Sequence, residues 1–146
     1  CLPQNTFLED KALIKYLSII VPEKELQGFK EELVKYGEKC SNIYPRLSKE
    51  TELFKPVFEK YDSAGNEVNE IYTTGAWRRF KEEGCIERIS SYQYCNEENQ
   101  GNTFVRVIQM VKVYMLSHCG GLSTCPLSMT DGAAFLIDYI KKTSPQ

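Results

Sequence analysis

The 146-residue chain has little of several things that usually announce a function. Its charge is close to balanced, 18 Lys and Arg against 20 Asp and Glu, or −2 at pH 7. That balance argues against a broad basic face for nucleic acid or an anionic bilayer surface. No apolar run approaches the roughly 20 residues a membrane-spanning helix needs, and no signal-peptide pattern stands at the start. No C-x-x-C pair occurs among the six cysteines, and His118 is the one histidine, so a zinc site is not expected. There is no G-x-G-x-x-G and no G-K-S/T to cradle a phosphate. His118 lies seven residues before Cys125 across the pair Gly120-Gly121. It reads more simply as a helix-closing residue than as the base of a nucleophilic cysteine. The chain shows no self-contained active site.

What is present is an aromatic-rich sequence, with nine Tyr and seven Phe, of a length that suits one domain. The even cysteine count permits disulfides. However, Cys40, Cys85 and Cys119 fall on or beside helical apolar faces, where a free thiol acts as a small hydrophobe. The composition is unlike that of a small secreted scaffold, which favours a reducing, intracellular compartment.

Taken in order, the periodicity predicts a first helix over about 8–20, capped by Thr6, with Leu13, Tyr16, Leu17 and Ile20 on one face. After Pro22 a second helix buries Leu26, Phe29, Leu33, Tyr36 and Cys40, spaced 3, 4, 3, 4. Glu25, Lys30, Glu32, Lys35 and Lys39 read as its solvated side. Pro45 closes this helix, and 48–52 reads as a polar connection or a single helical turn. The period then changes to two around Asp62-Ser63-Ala64-Gly65-Asn66, predicting a β-hairpin over 56–72. Thr73 or Thr74 caps a short helix with Trp77 and Phe80 inward and Arg78, Arg79, Lys81, Glu82 and Glu83 outward, ended by Gly84. Asn102 or Thr103 caps a strongly apolar helix with stripes Phe104, Ile108, Val111, Met115 and Val107, Met110, Tyr114. Arg106 and Lys112 mark its remaining solvent side. A last helix over about 126–142 turns Leu136, Ile137 and Ile140 inward. The fold class is therefore mainly α: a bundle of about five helices with one small β-hairpin, in a single domain over 1–146.

The stretch Thr124 to Ala134 stands out. Thr124 is a good N-cap and Pro126 suits a first turn. Ser128, Thr130 and Asp131 then set polar groups near a positive helix end. Two readings stand beside each other: a capped helix start with its polar groups in water, or a helix start lining a cleft, with those groups set among Leu127, Met129 and the small residues 132–134.

Cys125-Pro126-Leu127-Ser128-Met129-Thr130-Asp131-Gly132-Ala133-Ala134 resembles the motif that opens a helix late in the N-terminal helical domain of acyl-CoA dehydrogenases. It is most similar to the adaptive-response, AidB-like branch. The turn Tyr61-Asp62-x-x-Gly65-Asn66 and the helix start Gly75-Ala76-Trp77 resemble that branch too, in the same order, over nearly the whole chain. The resemblance implies a piece of a longer, FAD-dependent flavoprotein that removes hydrogen from the α and β carbons of a fatty acyl-CoA. It implies, too, an intracellular setting, mitochondrial or cytoplasmic, and a homo-oligomer. In that family the flavin sits mainly against a middle β domain and a C-terminal bundle, and the glutamate base lies downstream. The resemblance therefore assigns no catalytic residue here. The chain alone is expected neither to hold FAD nor to turn over acyl-CoA. What carries over is a substrate-binding role for Cys125, Ser128, Met129 and Thr130 on the helix that helps wall the acyl channel. Gly132, Ala133 and Ala134 either leave room for a chain or permit close helix packing. The alternative is a non-catalytic module that binds fatty acyl groups or assembles with protein partners. Nucleic-acid binding would require a basic face this segment lacks.

Overall fold

The structure is a computed structural model that describes residues 3–94 and 102–143. Seven α-helices and one two-stranded sheet are formed among these residues. The first predicted helix is in fact two, α1 (Thr6–Glu9) and α2 (Lys11–Ile20). Asn5, not Thr6, caps α1, accepting from the N–H groups of Phe7 at 3.0 Å and Leu8 at 3.1 Å. Asp10 breaks the chain and caps α2 by accepting from Leu13 N–H at 2.8 Å. Thr6 instead ties α1 to the next helix, its N–H donating to Ser41 Oγ at 2.8 Å.

Helix α3 (Glu23–Asn42) follows Pro22 and buries Leu33, Tyr36 and Cys40 completely or nearly so. Leu26 and Phe29 pack at the margin of the same cluster. Gly37 is needed where α1 crosses α3. A Cβ there would stand 2.5 Å from Asn5 Oδ1 and 2.7 Å from Phe7 N. Helix α4 (Tyr44–Leu53) fills the stretch expected to be a polar connection, with Pro45 in its first turn, where a missing N–H costs nothing. Tyr44 is its main anchor, its ring 6.0 Å from that of Tyr36 and 5.8 Å from that of Phe80.

The hairpin forms as predicted, β1 (Val57–Tyr61) pairing antiparallel with β2 (Glu67–Tyr72). Asp62 builds the turn, its carboxylate accepting from the N–H groups of Ala64 and Asn66 at 2.9 Å each, and Gly65 takes the left-handed φ of +85°. The ladder stands clear of the helices: Val57, Phe58, Tyr61, Ile71 and Tyr72 are all exposed.

Helix α5 (Gly75–Ile86) buries Ala76, Phe80, Glu83 and Gly84, and runs on past Gly84. Glu83 is thus inward, against the sequence expectation. Trp77 is only half-buried. Helix α6 (Phe104–Ser117) is the second pillar of the core. Val105, Ile108, Val111, Met115 and Leu116 pack against α3, each such side chain contributing about 1.5–3 kcal/mol. Asn102 accepts from Phe104 N–H at 2.9 Å, which starts the helix. Of the expected second apolar stripe, Val107 packs against the core but Met110 and Tyr114 are exposed, whereas Lys112 is buried. The polar tip expected at 96–102 lies, apart from Asn102, outside the described residues. A 3₁₀ turn (Gly121–Ser123) then leads into the last helix, α7 (Thr124–Thr143).

Candidate functional site

Helix α7 starts differently from a capped helix. Thr124 already has helical angles (φ −65°, ψ −36°), and its hydroxyl donates back to Gly121 O at 3.4 Å instead of accepting from a helix N–H. The 3₁₀ turn continues into the helix, which removes the need for a cap. Gly121 makes the entry possible with φ +52°, close against Ser48.

None of the twenty residues of α7 is buried. Leu127, Asp131, Ala134 and Asp138 are half-buried, and their spacing of 4, 3, 4 marks the seam turned toward the core. At about 100° per residue, Cys125, Met129, Gly132 and Leu136 share the opposite, outward side, and Ser128 lies on one flank. Met129 is 72% exposed there. Of the four predicted binding residues, Cys125 and Met129 share this outward face, and Ser128 is exposed on its flank. Thr130 is exposed but points to the other flank, roughly 160° round the helix from Ser128. Both hydroxyls already use their protons: Ser128 donates to Thr124 O and Thr130 to Pro126 O, each at 2.9 Å. In this arrangement they offer a ligand lone pairs, and must change rotamer to donate.

Further along, Phe135, Leu136, Ile137, Tyr139 and Ile140 are 50–56% exposed. The expectation that Leu136, Ile137 and Ile140 face inward is therefore corrected. This part of α7 is apolar nearly all round, so hydrophobic spacing does not select the inner face, and the seam carries two aspartates instead.

What holds α7 to the rest is largely polar. Asp131 receives a bidentate fork from Arg106, with Nη1 to Oδ1 at 2.6 Å and Nη2 to Oδ2 at 2.7 Å. Gln109, wholly buried, donates to the same carboxylate at 2.8 Å and to Ile89 O at 2.8 Å. Ser90 Oγ donates to Leu127 O at 2.9 Å. The Leu127 side chain sits on Gly84, where a Cβ would be 2.9 Å from its Cδ2. Gly84 is therefore a seat for α7, and Arg106, though partly exposed, is committed to Asp131.

A second polar cluster lies between the helices, and its Glu32, Lys39, Arg79, Glu83 and Lys112 are residues whose spacing reads as solvent-facing. Lys112 is 1% exposed and pairs with Glu32 at 2.5 Å and Glu87 at 3.2 Å. Its ammonium stands 5.3 Å from the Tyr36 ring centre and 4.9 Å from that of Tyr92. Lys39 bridges Glu83 at 2.9 Å and Glu87 at 2.7 Å. Glu83 is also held by Arg79 at 2.5 Å and by the Tyr44 hydroxyl at 3.1 Å. Burial pushes the Glu83 carboxyl up, but hydrogen bonds from Lys39 and Tyr44 and the charges of Lys39 and Arg79 outweigh it and hold its pKa below the ordinary value. Three cations answer three carboxylates in a strut between α3, α5 and α6 that is buried at Lys112 and Glu83 and open at Arg79. The register carried a signal: Lys112 continues the spacing of Ile108 and Met115, and Glu83 that of Ala76 and Phe80.

Cys40 is buried, and its contact with Cys119 together with burial drives its thiol far above the usual range. Among the described residues no group of three or more His, Cys, Asp or Glu is placed to hold a metal, and no helix is long and apolar enough to cross a membrane.

Residues 2–144 match the family model of the adaptive response protein AidB N-terminal domain. Acyl-CoA dehydrogenase family member 11 of Caenorhabditis elegans is 31% identical over 130 residues, covering 88% of this chain and 21% of that protein. The crystal structure of Caenorhabditis elegans ACDH-11 in complex with C11-CoA superposes with a TM-score of 0.83 and 26% identity, covering all of this chain and 25% of the other. Bd2924 in its apo-form matches at a TM-score of 0.80 and 28% identity, over 94% of this chain and 27% of its own. The chain thus spans about a fifth to a quarter of the length of these relatives. The match over residues 2–144, on a helical bundle with a hairpin, establishes that the chain belongs to the AidB N-terminal domain family.

Proposed function

We propose that this chain is the N-terminal helical domain of a longer FAD-dependent acyl-CoA dehydrogenase and that the outward face of α7 helps wall its acyl channel. The observation that carries the reading is the bare face of α7. It is apolar or small at Cys125, Met129, Gly132 and Leu136, on a fold shared with a protein solved with C11-CoA. The remaining domains of the parent cover this face and the exposed aromatic residues beyond it. Cys125, Met129 and Ser128 lie against the acyl group; Thr130, on the other flank, contacts the neighbouring domain or the thioester end.

The described residues suit a wall beside FAD better than a cradle for it. The α7 hydroxyls have given their protons to backbone carbonyls, so no set of donors on this face matches a pyrophosphate. FAD bound in the parent supplies the hydride acceptor. This chain's part is to orient the acyl chain and keep water from it.

The test is crosslinking. An acyl-CoA with a photoreactive diazirine near its tail, irradiated with the parent protein, is expected to label the peptide spanning 124–134. Labelling confined to other segments would refute the wall. A second reading, non-catalytic acyl binding or assembly, draws on the same bare face, which a partner protein covers equally well. Acyl-CoA-dependent bleaching of the flavin band separates the two: an active dehydrogenase reduces its flavin, and a binding module does not.

A further inference from the structure

Helix α7 is twenty residues long, yet no side chain on it is buried. Apolar packing therefore does little to set its place against α6. Its contacts along the seam are directional: the Arg106 fork and the Gln109 amide on Asp131, the Ser90 hydroxyl on the Leu127 carbonyl, and Leu127 on Gly84. Gln109 is the hub. Its Nε2 reaches both Asp131 and Ile89 O at 2.8 Å, and its Oε1 accepts from Gln93 N–H at 3.3 Å. A wholly buried amide with donors and acceptor all engaged is fixed in orientation, and it holds the carboxylate that the guanidinium grips from the open side. An isolated half-exposed ion pair would contribute little. A bidentate fork backed by a buried amide fixes direction as well as distance.

We infer that Arg106 and Gln109 are positioning residues which, through Asp131, set how far α7 stands from α6 and so the width of the acyl channel. The inference rests on the channel-wall reading above. Asp131 lies one helical turn beyond Leu127, and Met129 lies between them in sequence on the opposite side. A small rotation of α7 about this clasp therefore moves Met129 and Ser128 across the channel without unpacking the α3–α6 core. Neither Arg106 nor Gln109 touches substrate.

The experiment uses the parent protein and four variants: Arg106→Gln, the milder Asp131→Asn, the exchanged pair Arg106→Asp with Asp131→Arg, and Met129→Trp as a reference for the channel itself. Two readouts are taken, amide hydrogen exchange by mass spectrometry and the chain-length profile of acyl-CoA affinity. Arg106→Gln and Asp131→Asn are expected to speed exchange in 124–143 by about tenfold or more, leaving α3 and core α6 peptides unchanged, and to shift the preferred chain length. The exchanged pair restores the ion pair but sets a guanidinium, which cannot accept, against the Gln109 donor, so it is expected to recover both effects in part, which loss of general stability would not allow. Unchanged exchange in α7 in both single variants overturns the inference. Looser α7 with an unaltered profile, while Met129→Trp shifts it, also overturns the inference and leaves the wall standing. An unaltered profile in Met129→Trp as well removes the wall reading, and the positioning role falls with it.

Discussion

Lys112→Met is the sharpest test of the internal strut. The side chain keeps its length and loses its charge. Lys112 is 1% exposed, and its partners differ. Glu32 is 37% exposed at the side chain and can turn to water; Glu87, 13% exposed, keeps Lys39 at 2.7 Å. Removing one partner of a buried pair generally costs about 3–5 kcal/mol. Because both carboxylates retain an outlet, the cost is expected at the low end, about 3 kcal/mol. For a chain of this size that corresponds to a fall in Tm of roughly 6–12 °C. Urea denaturation followed by far-ultraviolet circular dichroism measures it, with Lys35→Met as the control. Lys35 pairs with Glu31 on the open surface, and its loss should leave the midpoint within error. A Lys112→Met cost no larger than the control would show that the strut contributes nothing to stability.

Three further outcomes follow from the same contacts. Glu83 has its pKa depressed in the fold, so its stabilisation is full above the unfolded carboxylate value and is lost as pH falls through the lower folded one; urea midpoints should drop steeply from about pH 5 to 3, and Glu83→Gln should flatten that drop. Gly37→Ala drives a Cβ into Asn5 and the Phe7 backbone and should destabilise by roughly 1–3 kcal/mol, read as a shifted midpoint. Thr124→Ala removes no cap, so its effect on the midpoint should stay within about 0.5 kcal/mol, against the ~1 kcal/mol that a true N-cap would lose.

Much of the fold was legible because the helical period is clean where helices bury one face. Leu33, Tyr36 and Cys40 of α3 and Ile108, Val111 and Met115 of α6 lie where their spacing predicts. The hairpin was legible from the Asp62–Asn66 turn, where side-chain acceptors and a left-handed glycine leave few other conformations. Helix α4 was hidden by its polar sequence, although Pro45 gave a first-turn signal. The charged strut was hidden by the rule that charges face water, which fails when three cations and three carboxylates answer one another across helices. The α7 register was illegible for the opposite reason: with apolar residues nearly all round, no period selects a face. Asp131 was readable as polar but not as a clasp, since its partners Arg106 and Gln109 lie on another helix. Of the candidate residues, Cys125, Ser128, Met129 and Thr130 lie on a helix where the spacing predicts one, and the structure adds which side of it is turned from the core.

The central claim, that the outward face of α7 bounds the acyl channel, is met most directly by the chain-length profile of acyl-CoA binding to the parent protein and its Met129→Trp variant. Met129 is 72% exposed in this domain, so the larger ring costs the domain no core packing and leaves the start of α7 untouched. Isothermal titration with acyl-CoAs of increasing length is expected to show the longest ligands weakened by about tenfold or more and the shortest unchanged, equivalent to about 1.4 kcal/mol lost at the far end of the channel. A profile identical to that of the unmodified protein, with the variant folded and carrying its flavin, would contradict the account and leave this face to domain packing alone.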